Sequence, residues 1–451
     1  MPDVATLAGL IAHGGAGARE ISSRDHRLSL GDFATRSPFG ASRRRFAGRS
    51  VVLAVGDMAK AAAALIDLDG RARRILLCPP GFEGDKIARA ATLMEADALA
   101  YDDEAAPPLA LDVAEPVRLP LGPREQDDAP TLATEWVLPT SGTSGPPKLA
   151  VHTLQTLLGA IAPAPLQQWA TFYDIRRYGG LQIFLRALSG QGSLRLAGPD
   201  EPIESFLDRL GECAITHISG TPTHWRKALL SGAASRISPP YVRLSGEIAD
   251  DGVLAGLAAA YPKASIEHAY ASTEAGVVFA VADGRAGFPA DWLERAGVVE
   301  MKVVDGALRV RSPRRALRLL GAEAAALVDA DGFVDTGDMI ERRGGRCHFM
   351  GRRNGVINVG GAKVHPEEVE AALNSLAIVR AARVFAKPSP ITGALVAAEV
   401  VLNDPSTAGR ELEREIIAAA RRRLPAHMAP ARIRFVADLP MTDAGKLRRN
   451  G

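Results

Sequence analysis

The sequence predicts an α/β fold: a large N-terminal domain of mixed sheets covered by helices plus a β-rich subdomain, followed by a small α+β C-terminal domain. Three observations carry this. From about residue 50 to 270, short apolar runs alternate with stretches of helical length. From Val298 to Met350 turn residues crowd together. After Gly351 the pattern changes again. In order, Arg74–Cys78, Glu135–Leu138, Ser193–Leu196, Ile215–Ser219, Val242–Ser245 and Ile266–Tyr270 read as strands. Between the later ones, Ile203–Cys213, Pro222–Ser231 and Asp251–Tyr261 have helical length and spacing, which implies mostly parallel sheets under covering helices. In the β-rich section Met301–Val304 and Ala307–Arg311 flank Asp305-Gly306, a hairpin dipeptide. Beyond it, Pro366-Glu367-Glu368 opens a helix, Val379–Phe385 and Ala394–Leu402 read as a strand pair, and Arg410–Leu424 reads as a helix with acids first and arginines last.

Composition narrows the function. A net charge of +2 on 451 residues gives no global cation excess with which to track a phosphate backbone, so nucleic acid is not an expected partner. Cys78, Cys213 and Cys347 are far apart and have no metal-ligand spacing. The apolar stretch Val4–Ala12 is too short to span a bilayer and follows no cationic segment, so the expected location is cytoplasmic. Only nine of the 54 cationic residues are lysines, which draws attention to a lysine in a glycine-rich segment.

Such a segment follows the apolar run Trp136–Leu138: Thr140, Ser141, Gly142, Thr143, Ser144, Gly145, Pro146, Pro147, Lys148. Hydroxyls and unhindered backbone N–H groups can wrap a phosphate chain, and the lysine adds a point charge. It is not a Walker A loop, because no Gly-Lys-Ser/Thr stands at the required spacing. A flexible surface turn is the bland alternative for this segment in isolation.

Three more segments follow in order: His268-Ala269-Tyr270-Ala271-Ser272-Thr273-Glu274, Thr336-Gly337-Asp338 with Gly351-Arg352-Arg353-Asn354 to Glu370, and Pro440-Met441-Thr442-Asp443-Ala444-Gly445-Lys446-Leu447-Arg448-Arg449. Together they resemble the adenylate-forming superfamily of acyl-CoA synthetases, stand-alone adenylation domains and firefly-type luciferases. The last segment matches that family's Pro-x-Thr-x-x-Gly-Lys-x-x-Arg at every fixed position, whereas Leu149 and Ala271 replace glycines and Asn354 stands where relatives often carry Asp.

The resemblance implies roles. Thr140 to Gly145 and Lys148 would hold the β- and γ-phosphates. The turn Leu244-Ser245-Gly246-Glu247 and the Tyr270-Ala271-Ser272 run would flank adenine, and Thr273 would donate to the α-phosphate. Glu274 would hold Mg²⁺ through hard oxygen ligation. Asp338 would accept from the ribose hydroxyls, Arg352 would touch ribose or phosphate, and Lys446 would neutralise charge developing between the acid and the α-phosphate. The implied division is 1–351, binding ATP and the acyl group, and a mobile lid, 352–451, turning about Asn354 and bringing Gly360 and Gly361 beside a thiol channel. Tyr173, Arg177 and Tyr178 fall where relatives line the acyl pocket, and Arg176 or Arg177 is in place to pair with a second carboxylate.

The expected reaction joins a small carboxylic acid to AMP, releasing pyrophosphate, and then to coenzyme A or to the phosphopantetheine arm of an acyl carrier protein. ATP and Mg²⁺ are the implied cofactors, and monomer and homodimer both fit. Outside this class, the phosphate loop alone admits a kinase or NTPase, and the glycine replacements admit a catalytically idle adenylate binder.

Overall fold

The computed structural model describes the chain except residues 1–5, 14–18, 103–108, 126–129, 141–147, 163–166, 191, 199, 322–325, 391, 442–446 and 448–451. Two large sheets dominate. One has eight strands, of which Glu20–Ser22, Ser193–Leu196, Gln168–Thr171, His217–Gly220, Tyr241–Ser245 and Ser265–Ser272 run parallel, with an antiparallel strand at each edge. The other has seven, with Glu135–Pro139, Arg74–Leu77, Ser50–Ala54, Ala98–Tyr101 and Val113–Pro116 parallel and Leu149–Thr153 and Arg318–Leu320 antiparallel.

Parallel strands covered on both faces must be apolar on both faces, and Val51, Val52 and Leu53 are all fully buried. Val51 and Leu53 face a core shared by the two sheets, which also takes in Ile21, Leu194 and the helices Met58–Leu68 and Tyr178–Ser189. The run Ala61-Ala62-Ala63-Ala64 is entirely buried there, because methyl side chains let a helix fit between two sheets. The outer faces have their own cores: Val52 and Leu76 under the helix Asp85–Leu93, and Ile218, Val242 and Leu244 under three helices that begin at Ile203, Pro222 and Asp251. Thr221 caps the second of these, its Oγ accepting from the His224 N–H with Pro222 at the first turn. The stretch Val4–Ala12 contributes to a short core helix, Leu7–His13, and among the described residues no helix is long and apolar enough to cross a membrane.

The β-rich section is a five-stranded antiparallel sheet in the order Phe288–Pro289, Arg346–Arg352, Val334–Arg343, Ala307–Arg311, Glu300–Val304. Asp305 and Gly306 both have positive φ, the hairpin geometry that this dipeptide favours. After the single turn Arg353–Gly355, the chain forms a two-stranded hairpin, a three-stranded sheet (Val379–Ser389, Gly393–Leu402, Arg432–Phe435) and the helices Pro366–Asn374 and Arg410–Arg421. Their core, from Ile357 to Ile433, draws on no earlier part of the chain.

Candidate active site

The parallel strand Ser265–Ser272 ends at the edge where ligands of such sheets bind, and its last residues lead into Thr273 and Glu274. Three contacts fix that corner. The His152 Nε2–H donates to the Thr273 carbonyl at 2.8 Å, the Ala316 N–H donates to the Glu274 carbonyl at 2.9 Å, and the Ala275 N–H donates to Ser272 Oγ at 2.9 Å. Gly276 follows at φ +81°, where a Cβ would lie 2.4 Å from the Arg314 carbonyl oxygen, so only glycine fits. Burial lowers the His152 pKa to about 4, so the imidazole is a neutral donor at ordinary pH. The Thr273 hydroxyl and Glu274 carboxylate have no hydrogen-bond or ion-pair partner among the described residues. A single unpaired carboxylate suits Mg²⁺, whose shell is otherwise filled by phosphate oxygens and water. No cluster of three or more metal-ligating residues exists among the described residues.

His152 also links this corner to the phosphate segment. Glu135–Pro139 and Leu149–Thr153 pair antiparallel, and the Thr140 N–H donates to the Lys148 carbonyl at 2.8 Å, which holds the two ends of the segment together. His152 stands four residues past Lys148 and reaches Thr273 across the two sheets. Lys148 is exposed. Ser141, Gly142, Thr143, Ser144 and Gly145 lie outside the described residues.

On the opposite face of the strand end stands Tyr270, its ring 4.6 Å from Phe349 and 5.5 Å from Phe279. Its hydroxyl donates to Asp338 Oδ2 at 2.5 Å, and Arg352 Nε holds Asp338 Oδ1 at 2.9 Å. Asp338 and Arg352 are cross-strand neighbours, and Gly337, at φ +68°, lies within the strand Val334–Arg343 where its pairing with Ala307–Arg311 shifts register. Burial, followed by the Asp338 charge, pushes the Tyr270 phenol well above its ordinary range, so it stays a neutral donor.

Beyond the Arg352–Asp338 and Arg353–Asp335 pairs, hydrogen bonds or ion pairs join the described residues of the C-terminal domain to the large domain at three places. The Leu447 N–H donates to Glu247 Oε1 at 3.4 Å, while Glu247 Oε2 accepts from the Thr223 N–H at 3.0 Å beside Gly246 at φ +88°. Lys227 lies 3.9 Å from Asp438, and Arg343 pairs with Glu368 at 3.0 Å. Lys446, the residue before Leu447, lies outside the described residues. Asn354 is exposed in the turn Arg353–Gly355, and Gly360 and Gly361, both at positive φ, form the tip of the hairpin Ile357–Val359/Ala362–Val364.

A small cavity opens beside Ala271, walled by Tyr173, Tyr178, Gln182, Ser245 and Val277. The Tyr173 hydroxyl lies 2.6 and 2.7 Å from the Gly220 and Ser245 carbonyl oxygens, and burial raises its pKa. Arg177 is not on this wall. It caps the helix Tyr178–Ser189 and donates to the Pro80 carbonyl at 2.7 Å. Arg176 does not face a second substrate carboxylate either, because its guanidinium is buried against Asp174 and the Val55 carbonyl. Arg186 and Arg243 do reach the wall. Arg186 was legible: it is the one charged residue in an otherwise uncharged helix, two turns from Tyr178 on the same face.

The fold and this corner define a two-domain α/β protein with nucleotide-binding geometry at the carboxyl edge of a sheet and a small C-terminal domain docked over it. Residues 70–315 match the family model of the AMP-binding enzymes, and residues 368–446 match that of the AMP-binding enzyme C-terminal domain. The chain belongs to the AMP-binding enzyme family. It is similar to the medium/long-chain-fatty-acid–[acyl-carrier-protein] ligase FadD10 of Mycobacterium tuberculosis, 35% identical over 148 residues, covering 32% of this chain and 27% of that protein. It also resembles the human mitochondrial acyl-coenzyme A synthetase ACSM2A, 26% identical over 69% of this chain and 59% of that one. The matched part is thus less than two thirds of either relative. In fold it resembles an anthranilate CoA ligase, AuaEII, bound to anthranoyl-AMP (TM-score 0.81, 16% identity, 99% of this chain and 96% of that one) and ATP-bound MatB from Rhodopseudomonas palustris (TM-score 0.81, 18% identity, 98% and 97%).

Proposed function

We propose that this protein activates a small carboxylic acid with ATP, forming an acyl-adenylate and pyrophosphate, and then transfers the acyl group to coenzyme A with release of AMP. The observation that supports the reading is the convergence, about the end of the strand Ser265–Ser272, of Thr273 and Glu274, which have no partner among the described residues, of His152 from the strand that follows Lys148, and of the Tyr270–Asp338–Arg352 set. Residues 140–148 bind the β- and γ-phosphates, Asp338 accepts from the ribose hydroxyls, and Thr273 donates to the α-phosphate. Glu274 would hold Mg²⁺, which would supply charge neutralisation on the phosphate oxygens. The acid's carboxylate attacks the α-phosphorus in line, and Lys446 steadies both by charge rather than by proton transfer. For the second half the lid turns about Asn354, Lys446 withdraws, and the Gly360-Gly361 tip borders the entering thiol. ATP–pyrophosphate exchange across a panel of acids tests the first half; absence of exchange with every acid sinks it.

A carrier-protein thiol in place of coenzyme A is supported by the likeness to FadD10, a medium/long-chain-fatty-acid–[acyl-carrier-protein] ligase. Thioester formation with coenzyme A against a panel of loaded carrier proteins separates the two acceptors.

A further inference from the structure

The cavity beside Ala271 has a chemical end. The helix Tyr178–Ser189 turns Tyr178, Gln182 and Arg186 onto it at positions i, i+4 and i+8, so Arg186 is rooted about 12 Å along the axis from Tyr178. Helix side chains lean towards the N-terminus, which brings the guanidinium back towards the mouth. The neighbouring strand supplies Ser245 at the mouth and Arg243 two residues deeper.

The two arginines differ. Arg243 is neutralised by Glu267, its cross-strand neighbour, and touches the Tyr241 hydroxyl at 3.2 Å. Arg186 has no hydrogen-bond or ion-pair partner among the described residues, and its Nε is buried and unsatisfied. The charges that reach it, Arg243 and Arg314, are both positive, and burial with Arg243 lowers its pKa only to about 10, so it remains a cation. His217 cannot help, since burial and Arg186 itself lower it to about 4, leaving it neutral. A partly buried cation with a buried, unsatisfied Nε and no counter-charge is unfavourable unless a ligand brings one.

We propose that the acid activated here carries a second carboxylate at its far end, which enters this cavity and pairs with Arg186. The inference rests on the adenylation reading, because it needs the first carboxylate at the Ala271 mouth, next to Thr273.

The test measures binding without ATP. Calorimetric titration of straight-chain diacids and monoacids of equal carbon number runs beside ATP–pyrophosphate exchange, for native protein, Arg186→Met and Arg186→Lys, with thermal melting to establish that each variant is folded. The native protein should prefer a diacid by roughly ten- to a hundredfold, the range of a charge-assisted contact. Arg186→Met should bring the preference towards unity, and Arg186→Lys should keep its direction. Equal binding of both acid classes, binding of neither, or an unchanged preference in Arg186→Met overturns the proposal. Exchange with monoacids alone overturns it while leaving adenylation intact; Arg186-dependent diacid binding without exchange upholds the contact between Arg186 and a second carboxylate while overturning adenylation.

Discussion

Tyr270 and Asp338 meet through a 2.5 Å hydrogen bond that crosses from the eight-stranded sheet to the five-stranded one. The phenol is buried among Phe279 and Phe349 and stays protonated, so it donates to a carboxylate that Arg352 also holds. One residue thus positions the acid that is to accept from ribose.

Tyr270→Phe should remove that support while keeping the ring. A hydrogen bond to a charged group contributes about 1.5–3 kcal/mol, so the KM for ATP in the exchange assay should rise roughly ten- to a hundredfold. Asp338→Asn should raise it at least as far. The double variant should fall short of the two added effects, because the residues share one contact. Full additivity would show that they act apart.

Lys446→Ala should lower pyrophosphate exchange by about a hundred- to a thousandfold, the usual loss when one electrostatic contact to a transition state is removed. Thioester formation from a pre-made acyl-adenylate should survive, since the lid has withdrawn this residue by then. Equal loss of both half-reactions would contradict the division of labour about Asn354.

His152 holds the Thr273 carbonyl from beneath, and its folded pKa of about 4 lies below the ordinary imidazole value of 6.5. Its contribution to stability is therefore complete above pH 6.5 and is lost as pH falls towards 4, where the unfolded chain takes up the proton first. In His152→Phe that part of the acid-side decline should vanish. The orphaned Thr273 carbonyl should cost about 1–3 kcal/mol and slow exchange through a displaced hydroxyl. Calorimetric melting from pH 4 to 7 checks the first effect, and exchange rates at pH 7.5 check the second.

Glu370 behaves in the opposite sense. It is buried in the lid core, accepts from the Val384 N–H at 2.9 Å, and burial raises its pKa from 4.5 to about 8. Between those values the folded lid retains a proton that the unfolded chain releases, so stability falls as pH rises from 4.5 to 8. Glu370→Gln should flatten that slope and leave the lid more stable at pH 8. A slope unchanged by the substitution would place its origin elsewhere, with Asp69, raised to about 7 by burial, the next group to replace.

Much of this molecule is legible from the chain. Ser193–Leu196 and Ala307–Arg311 form strands at their expected limits, because Leu194 and Leu196 recur at the strand period of two and a two-residue Asp-Gly turn leaves little freedom of register. Glu20–Ser22 carries no such signal. Three residues become a strand there only because Ser193–Leu196 and Arg27–Ser29 lie on either side. The acyl wall shows the same limit. Adjacent arginines at 176 and 177 attract notice in the sequence, yet Asp174 captures the first and the Pro80 carbonyl the second. Arg186 faces the cavity through helical phase, and its lack of a counter-ion is a tertiary fact. The expected phosphate loop and Lys446 are the most readable by motif, and residues 141–147 of the first and Lys446 itself fall outside the described residues.

The strand end at residues 270 and 271 separates two kinds of recognition. Tyr270 packs with the β-rich core and stands on the side proposed for the nucleotide, while Ala271 packs with the inter-sheet core and borders the cavity proposed for the acid. Mutational drift on the second side can therefore retune which acid enters while the first continues to read the same ATP. A duplicated copy of this gene would need only a few changes around Tyr178, Arg186 and Ala271 to adopt a new acid, with its energy source already in place.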